Sequence, residues 1–133
     1  MTRLLSSLLL ATASSLVAAD KLRLERDRNT GTITVHREAS PEAILTQVAG
    51  PATRPYLHPI VAPDGKGDLT EFSPGHHKHQ TGLYWGFTRV NQRDYFHNLQ
   101  SDYWKRNSSK ILIASGQSVS WQTSYDLLRD KGQ

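Results

Sequence analysis

The stretch Val119-Ser-Trp-Gln-Thr-Ser-Tyr-Asp-Leu127 carries the clearest strand pattern in the chain, and it decides the fold class. Its odd-numbered positions are apolar, aromatic or threonine, whereas its even-numbered positions are polar. Because alternate side chains of a strand point to opposite faces, this pattern predicts one long β-strand with one buried face. Residues 129–133 then have the composition of a hairpin turn, and the chain stops where a return strand would begin. Since an unpaired strand with an apolar face is an aggregation hazard, we expect the sequence to be the N-terminal part of a longer protein.

Further strands are predicted N-terminal to this stretch. Residues 22–24 and 33–35 alternate apolar and polar side chains on either side of an Asn/Gly turn, which predicts a β-hairpin. Residues 43–48 predict a short strand, with a single helical turn opened by Pro41 as the alternative. Prolines recur at every fourth position between residues 51 and 63, which predicts an extended connection or an edge strand.

The central part of the chain is less regular. Thr81–Val90 contains the apolar run Leu83-Tyr-Trp-Gly-Phe87, which predicts a buried strand with Trp85 and Phe87 in the core. Residues 91–109 show no clean period and predict a long structured loop, followed by a short strand at residues 110–114. Strands greatly outnumber plausible helices, so the predicted class is all-β. We expect an antiparallel β-sandwich, of which a galactose-mutarotase-like supersandwich is one form, and an incomplete domain.

The N-terminus has the layout of a secretory signal peptide. Arg3 precedes an apolar core at residues 4–16, and Val17-Ala18-Ala19 is a small-residue cleavage site. The sequence therefore predicts a signal peptide at residues 1–19 and one β-sandwich domain at residues 20–133, exported to the periplasm or the extracellular space. No later segment is apolar enough to form a membrane helix, so we expect no membrane span after cleavage.

Charge and cysteine content limit the function classes. The sequence has 16 basic and 12 acidic residues, a formal net charge of +4, and no cysteine. The basic residues are scattered and do not form a continuous stripe, so we expect no nucleic-acid partner. The lack of cysteine excludes disulfides, thiol catalysis and cysteine metal ligands.

Three of the six histidines lie within Ser73-Pro-Gly-His76-His77-Lys-His79. In an extended segment His77 and His79 leave the same face and can present two nitrogens to one divalent metal ion, while His76 points the other way. A catalytic metal usually needs a third protein ligand. The candidates are Glu71, His58 and His97, and the spacing does not choose between them.

Two other interpretations use the same region. The histidines can act as general acid or base beside a carboxylate such as Asp94, because imidazole titrates near neutral pH. Alternatively, the planar and aromatic side chains of Trp85, Arg89 and Asp94 suit recognition of sugar rings. The chain contains no Gly-x-Ser-x-Gly elbow and no phosphate-binding glycine loop, so serine hydrolysis and nucleotide handling are not expected.

Several motifs resemble a family of exported bacterial proteins labelled "methane oxygenase PmoA" or PmoA-like, a domain of unknown function. They are Arg54-Pro-Tyr56, Pro63-Asp-Gly65, His77-Lys-His79-Gln-Thr-Gly-Leu-Tyr-Trp85, Asp94-Tyr-Phe96 and the strand ending at Leu127. The resemblance covers about residues 50–128 and implies that the chain is the N-terminal portion of a β-sandwich protein with a sugar-related role. The chain departs from the family pattern at Lys78, where proline is common, and at Gln80, where a histidine often stands.

The sequence leaves three functions open, and whether the protein is an enzyme is open too. The first is a protein that processes or binds a carbohydrate or small-molecule substrate through a His-x-His site. The residues assigned to it are His77, His79 and Asp94 as catalytic groups, with Arg54, Gln80, Trp85 and Arg89 binding substrate. The second is a metal-dependent oxygenase or redox enzyme with His77 and His79 as ligands. The third is a non-catalytic structural or interaction protein.

Overall fold

The computed structural model describes residues 21–129, and within them the chain is all-β, with two antiparallel sheets and no helix. The strands are β1 (Leu22–Arg26), β2 (Ile33–Arg37), β3 (Ala43–Val48), β4 (Tyr56–Ile60), β5 (Trp104–Ile113), β6 (Ser115–Gly116) and β7 (Ser120–Leu127). The first sheet has the order β4-β3-β2-β1-β6 and the second contains β5 and β7. This architecture confirms the predicted all-β antiparallel class. The predicted signal peptide and the turn at the end of the chain lie outside the described residues.

The first sheet is built around the hairpin that the alternation at residues 22–24 and 33–35 predicts. Strands β1 and β2 make the predicted hairpin, with Leu24 opposite Val35, and β3 continues the sheet with Leu45 opposite Val35. The turn closes where the backbone N–H of Gly31 donates to the carbonyl of Asp27 at 2.8 Å. Residues 43–48 are therefore a strand and not a helical turn. Among residues 21–129 no helix could span a membrane.

Strand β4 confirms the edge-strand interpretation of the proline-rich segment. It pairs with β3 on one side, and Pro59 is tolerated there because an edge position does not require every N–H to enter the ladder. On its other side Leu57 pairs with Leu83, with N–H to carbonyl distances of 2.8 and 3.0 Å, and the carbonyl of Ile60 accepts from the N–H of Leu69 at 2.7 Å. The Leu57–Leu83 bridge fixes the segment after the histidines against the edge of the sheet.

The two sheets share one hydrophobic core, as a sandwich requires. Leu24, Ile33 and Val35 of the first sheet are buried. The partly buried side chains packed against them are Leu22, Ile44, Leu45, Ile111, Val119 and Trp121. Polar ties add to this contact, because Trp121 donates from Nε1 to Gln47 Oε1 at 2.7 Å across the sheets. Strand β7, predicted from its period of two, thus supplies apolar side chains to the core.

Strand β5 begins at Trp104, so the predicted loop to residue 109 is wrong in its second half. After the buried Trp104, residues 105–110 of β5 are all polar and show no apolar period, and most of them pair with polar residues of β7. Asn107 Nδ2 donates to Asp126 Oδ1 at 2.6 Å, and the hydroxyls of Ser108 and Ser124 lie 2.8 Å apart. Cross-strand polar pairs of this kind stabilise a strand that an apolar pattern cannot reveal.

The predicted buried strand at Thr81–Val90 is also wrong. The segment makes only isolated bridges, and the side chains of Trp85 and Phe87 are 78% and 42% exposed. Gly82 and Arg89 have φ angles of 88° and 58°, which are incompatible with continuous extended backbone. Trp85 and Phe87 therefore do not fill the core, and the apolar run lies on the surface.

Candidate functional site

The buried side chain of Arg54 holds the central loops together. It is 1% exposed, and its guanidinium donates to the backbone carbonyls of His79 and Phe96 and to Thr81 Oγ1 at 3.3 Å. Its guanidinium carbon also lies 3.5 Å from the ring centroid of Tyr84. Burial lowers the pKa of Arg54, and contact with Tyr84 opposes that shift. Arg54 was predicted to bind substrate, but the structure directs its guanidinium to protein groups that carry the site.

The histidine segment is a pair of turns and not an extended strand. The N–H of His77 donates to the carbonyl of Pro74 at 2.8 Å, and the N–H of Gln80 donates to the carbonyl of His77 at 2.9 Å. Gly75, with a φ of 41°, allows the chain to bend there. The extended geometry predicted that His76 points away from His77, and this prediction is wrong because the segment is not extended. Their ring centroids lie 4.1 Å apart.

Asp94 and His97 form a hydrogen-bonded pair. His97 Nδ1 lies 2.6 Å from Asp94 Oδ2, and Asp94 Oδ1 accepts from the backbone N–H groups of Phe96 at 2.8 Å and of His97 at 3.3 Å. The His97 side chain is the main reason that the pKa of Asp94 lies below its ordinary value. When Nδ1–H donates to the carboxylate, Nε2 of neutral His97 is the nitrogen that accepts a proton.

His79 connects this pair to the other histidines. Its ring centroid lies 4.7 Å from that of His97 and 5.9 Å from that of His77. Partial burial lowers the pKa of His79, and the nearby His97, His77 and Arg54 add to that effect, whereas Asp94 opposes it. We call His76, His77, His79, His97 and Asp94 the histidine cluster. It unites the three predicted catalytic residues with His97, which the sequence suggested only as a third metal ligand.

The structure places one of the three candidate third metal ligands beside His79. Of the three candidate third ligands, only His97 lies beside His79, while His58 Nδ1 is 2.9 Å from Thr70 Oγ1 and Glu71 lines a separate depression. Among residues 21–129 no three His, Cys, Asp or Glu side chains are arranged to hold one metal ion. The assignment of His77 and His79 as ligands stays a prediction.

A cavity of about 380 Å³ lies next to the bridge between β4 and the surface segment. We call it the aromatic groove. Its lining residues are Gln47, Pro55, Tyr56, Leu57, Leu83, Tyr84, Trp85 and Trp121. Trp85 was a predicted binding residue and lies in this groove. The sequence missed Tyr56 and Trp121 as groove residues because β4 and β7 are far apart in the chain, and only the packing of the sheets brings them together.

The remaining predicted binding residues lie elsewhere. Gln80 lines a second, shallower depression that adjoins the groove at Leu83 and Tyr84. Arg89 is exposed, has a positive φ and does not line the groove. Arg54 connects the two regions, because it packs under Tyr84 of the groove and holds the backbone of the histidine cluster.

The fold and these sites together define an all-β protein of two antiparallel sheets that carries an exposed aromatic groove and a histidine cluster on one irregular segment. The profile of DUF6807, a family of unknown function, matches residues 42–129, and the chain belongs to that family. The matched region includes every residue of the groove and the cluster. The family description names no activity and does not mention PmoA. No curated protein and no solved structure matches the chain.

Proposed function

We propose that this protein binds carbohydrate in the aromatic groove. The observation that supports this most strongly is the 78% exposure of Trp85 at the wall of a cavity that also contains Tyr56, Tyr84 and Trp121. An indole left in water has no role in the core, but its flat apolar face can cover the C–H face of a sugar ring. A concave, largely apolar site with a few polar groups is the usual form of a small-ligand site.

Polar groups at the groove favour a ligand that also carries hydroxyls. Gln47 Oε1 accepts hydrogen bonds from Trp121 Nε1 and from Thr123 Oγ1 at 2.9 Å, which fixes the orientation of the amide. Since both bonds go to Oε1, the amide nitrogen of Gln47 can donate to a ligand oxygen. Aromatic walls beside an oriented amide fit a sugar better than a purely apolar ligand.

The histidine cluster supports processing of the bound sugar as part of the same proposal. The Asp94–His97 pair leaves Nε2 of His97 able to accept a proton, and His79 lies beside it with a lowered pKa. Such a pair has the composition of a general acid–base site near neutral pH. Arg54 places both histidine-bearing loops relative to Tyr84 of the groove. His77, whose ring lies beside that of His79, is assigned a catalytic role as part of this proposal.

We also propose that the protein is exported and PmoA-like. Export is supported by the signal-peptide pattern at residues 1–19. The PmoA-like relationship is supported by the motifs that include His77, His79 and Asp94, which fall within the family match. Because the name refers to methane oxidation, we use it for the relationship and not for the reaction.

Substitution of Trp85 tests the binding proposal. A glycan array identifies ligands, and calorimetry compares the wild type with Trp85→Ala and with Leu112→Ala, an exposed β5 control. We expect Trp85→Ala to weaken binding at least about 10-fold, since lost ring stacking and buried area are together worth about 1.4 kcal/mol or more. Leu112→Ala should bind as the wild type does. If no glycan binds, or if Trp85→Ala binds unchanged, the proposal is withdrawn and a non-catalytic interaction role takes its place.

A second candidate function is a metal-dependent redox enzyme. The observation that favours it is that the ring of His79 contacts the rings of both His77 and His97, although residues 21–129 offer no complete set of three ligands. Elemental analysis of purified protein and of His77→Ala and His79→Ala decides the matter. A bound metal that is lost in both variants supports this function, and protein that cannot be loaded with metal removes it.

A further inference from the structure

A second depression adjoins the aromatic groove, and the two share a wall. It has a volume of about 330 Å³. Its lining residues are Leu69, Thr70, Glu71, Pro74, Gln80, Gly82, Leu83 and Tyr84. Leu83 and Tyr84 line both cavities, and the 57% exposed side chain of Leu83 is a shared boundary between them. We call this second cavity the polar depression.

The chemistry of the polar depression differs from that of the groove. The Thr70 hydroxyl is already committed to the N–H of Ile60 at 3.1 Å and to His58 at 2.9 Å. By contrast, the side chains of Glu71 and Gln80 have no hydrogen-bond partner among residues 21–129. A carboxylate supplies two acceptor oxygens and an amide supplies both a donor and an acceptor. Together these groups match the hydroxyl rim of a sugar, whereas the groove matches its apolar face.

We infer that the ligand of this site is a saccharide of at least two rings, with one ring on Trp85 in the groove and the next held by Glu71 and Gln80 in the polar depression. This inference rests on the proposed function. Each cavity lies near the lower end of the usual range of about 300–1,000 Å³ for ligand sites. Each cavity has room for one sugar ring, and a second ring linked to the first reaches the other cavity by crossing Leu83.

The inference predicts that affinity depends on chain length. Calorimetry compares glucose, galactose and xylose with their β-1,4-linked dimers and trimers, using the wild type, Glu71→Gln, Gln80→Ala and the control Glu38→Gln. Glu38 is exposed at the end of β2 and matches Glu71 in chemistry. We expect a dimer to bind at least about 10-fold tighter than its monomer, because its second ring gains one or two hydrogen bonds to a charged group. Loss of these bonds should reverse the gain in affinity. Glu71→Gln and Gln80→Ala should bring the affinity for the dimer close to that for the monomer, whereas the control Glu38→Gln should bind both sugars as the wild type does.

The outcomes separate the inference from the proposed function. If Trp85→Ala weakens every sugar while the Glu71 and Gln80 variants bind as the wild type does, the groove binds sugar and the two-ring inference is overturned. Equal affinity for monomer and dimer overturns it as well. If none of these sugars binds and the glycan array is also negative, the proposed function fails and the inference fails with it.

Discussion

Replacement of Arg54 by leucine tests the idea that one buried side chain holds the site together. The guanidinium is 1% exposed and bonds the backbone carbonyls of His79 and Phe96, while its face packs on Tyr84. Arg54→Leu leaves both carbonyls without their donor. It also removes a charge whose pKa is already lowered by burial, and this relief offsets part of the loss.

The expected loss follows from these two effects. A buried carbonyl without a donor costs about 1–3 kcal/mol, so two of them cost about 2–6 kcal/mol. Arg54 has no carboxylate partner among residues 21–129, so removal of its buried charge returns part of this cost. We expect a net loss of about 2–4 kcal/mol in the free energy of unfolding. Arg54→Lys keeps the charge but lacks the planar fork that reaches both carbonyls, so most of the loss should remain.

Urea denaturation followed by tryptophan fluorescence measures the change, with Arg89→Leu as the matched control. Arg89 is exposed, and its loss should change the free energy of unfolding by less than about 0.5 kcal/mol. In folded Arg54→Leu, the pKa of His79 measured by NMR should rise, because a nearby positive charge that disfavours protonation is gone. An Arg54→Leu variant as stable as Arg89→Leu, with an unchanged His79 pKa, would show that Arg54 does not hold the site together.

Three further predictions concern individual contacts. Asp94→Asn loses the bond to His97. Since the pKa of Asp94 is lowered, its contribution to stability is present above about pH 4 and is lost as the pH falls. Urea titrations across the acidic range should show this loss in the wild type and not in Asp94→Asn. Identical curves for the two proteins would contradict the prediction. Gly82→Ala adds a Cβ that meets a β4 carbonyl at a φ of 88°, whereas in the control Gly65→Ala, at a φ of 73°, the Cβ meets nothing within 4 Å. We expect Gly82→Ala to lower the free energy of unfolding by at least about 1 kcal/mol more than the control. Equal thermal stabilities of the two variants would contradict this. Burial raises the pKa of Tyr125 to about 12. Its contribution to stability is therefore present below about pH 10 and is lost as the pH rises toward its folded-state pKa. Tyr125→Phe should be about 0.5–1.5 kcal/mol less stable at neutral pH and should lack the alkaline loss. An ultraviolet titration that shows this tyrosine ionised near pH 10 would contradict its burial.

The sequence predicted the regular sheets well, because their side chains alternate. Strands β1, β2 and β7 follow from a period of two. For β3 the sequence allowed a strand or a helical turn, and for β4 the prolines allowed an edge strand or an extended connection. The polar start of β5 was missed because its partners across the ladder are polar as well. A period of two in apolar residues shows which face of a strand is buried, and residues 105–110 of β5 contain no apolar residue.

The surface segment shows where a pattern fails for a physical reason. The run from Leu83 to Phe87 is apolar at adjacent positions, so it does not say whether a partner strand is available. Only Leu83 finds a backbone partner on β4, and Gly82 turns the chain away from extended geometry. The exposure of Trp85 is thus decided by tertiary pairing, which the local sequence does not contain.

The site was predicted in part for similar reasons. His77 and His79 were named from their spacing of two, and Asp94 was named as a carboxylate that could act beside them. The structure brings the three together through His97. The role of His97 beside Asp94 was missed, although the spacing Asp-x-x-His is a signal that an aspartate can bond the residue three positions on. Groove residues on separate strands, such as Trp121, carried no local signal at all.

An NMR titration of the three indole N–H groups with a β-1,4-linked glycan dimer shows directly whether the aromatic groove binds carbohydrate. Trp85 and Trp121 line the aromatic groove, whereas Trp104 is 3% exposed and donates to the carbonyl of Asn98 at 2.9 Å. If the groove binds carbohydrate, the signals of Trp85 and Trp121 shift in a saturable manner and that of Trp104 stays in place. Saturable binding that leaves Trp85 unshifted would contradict the account.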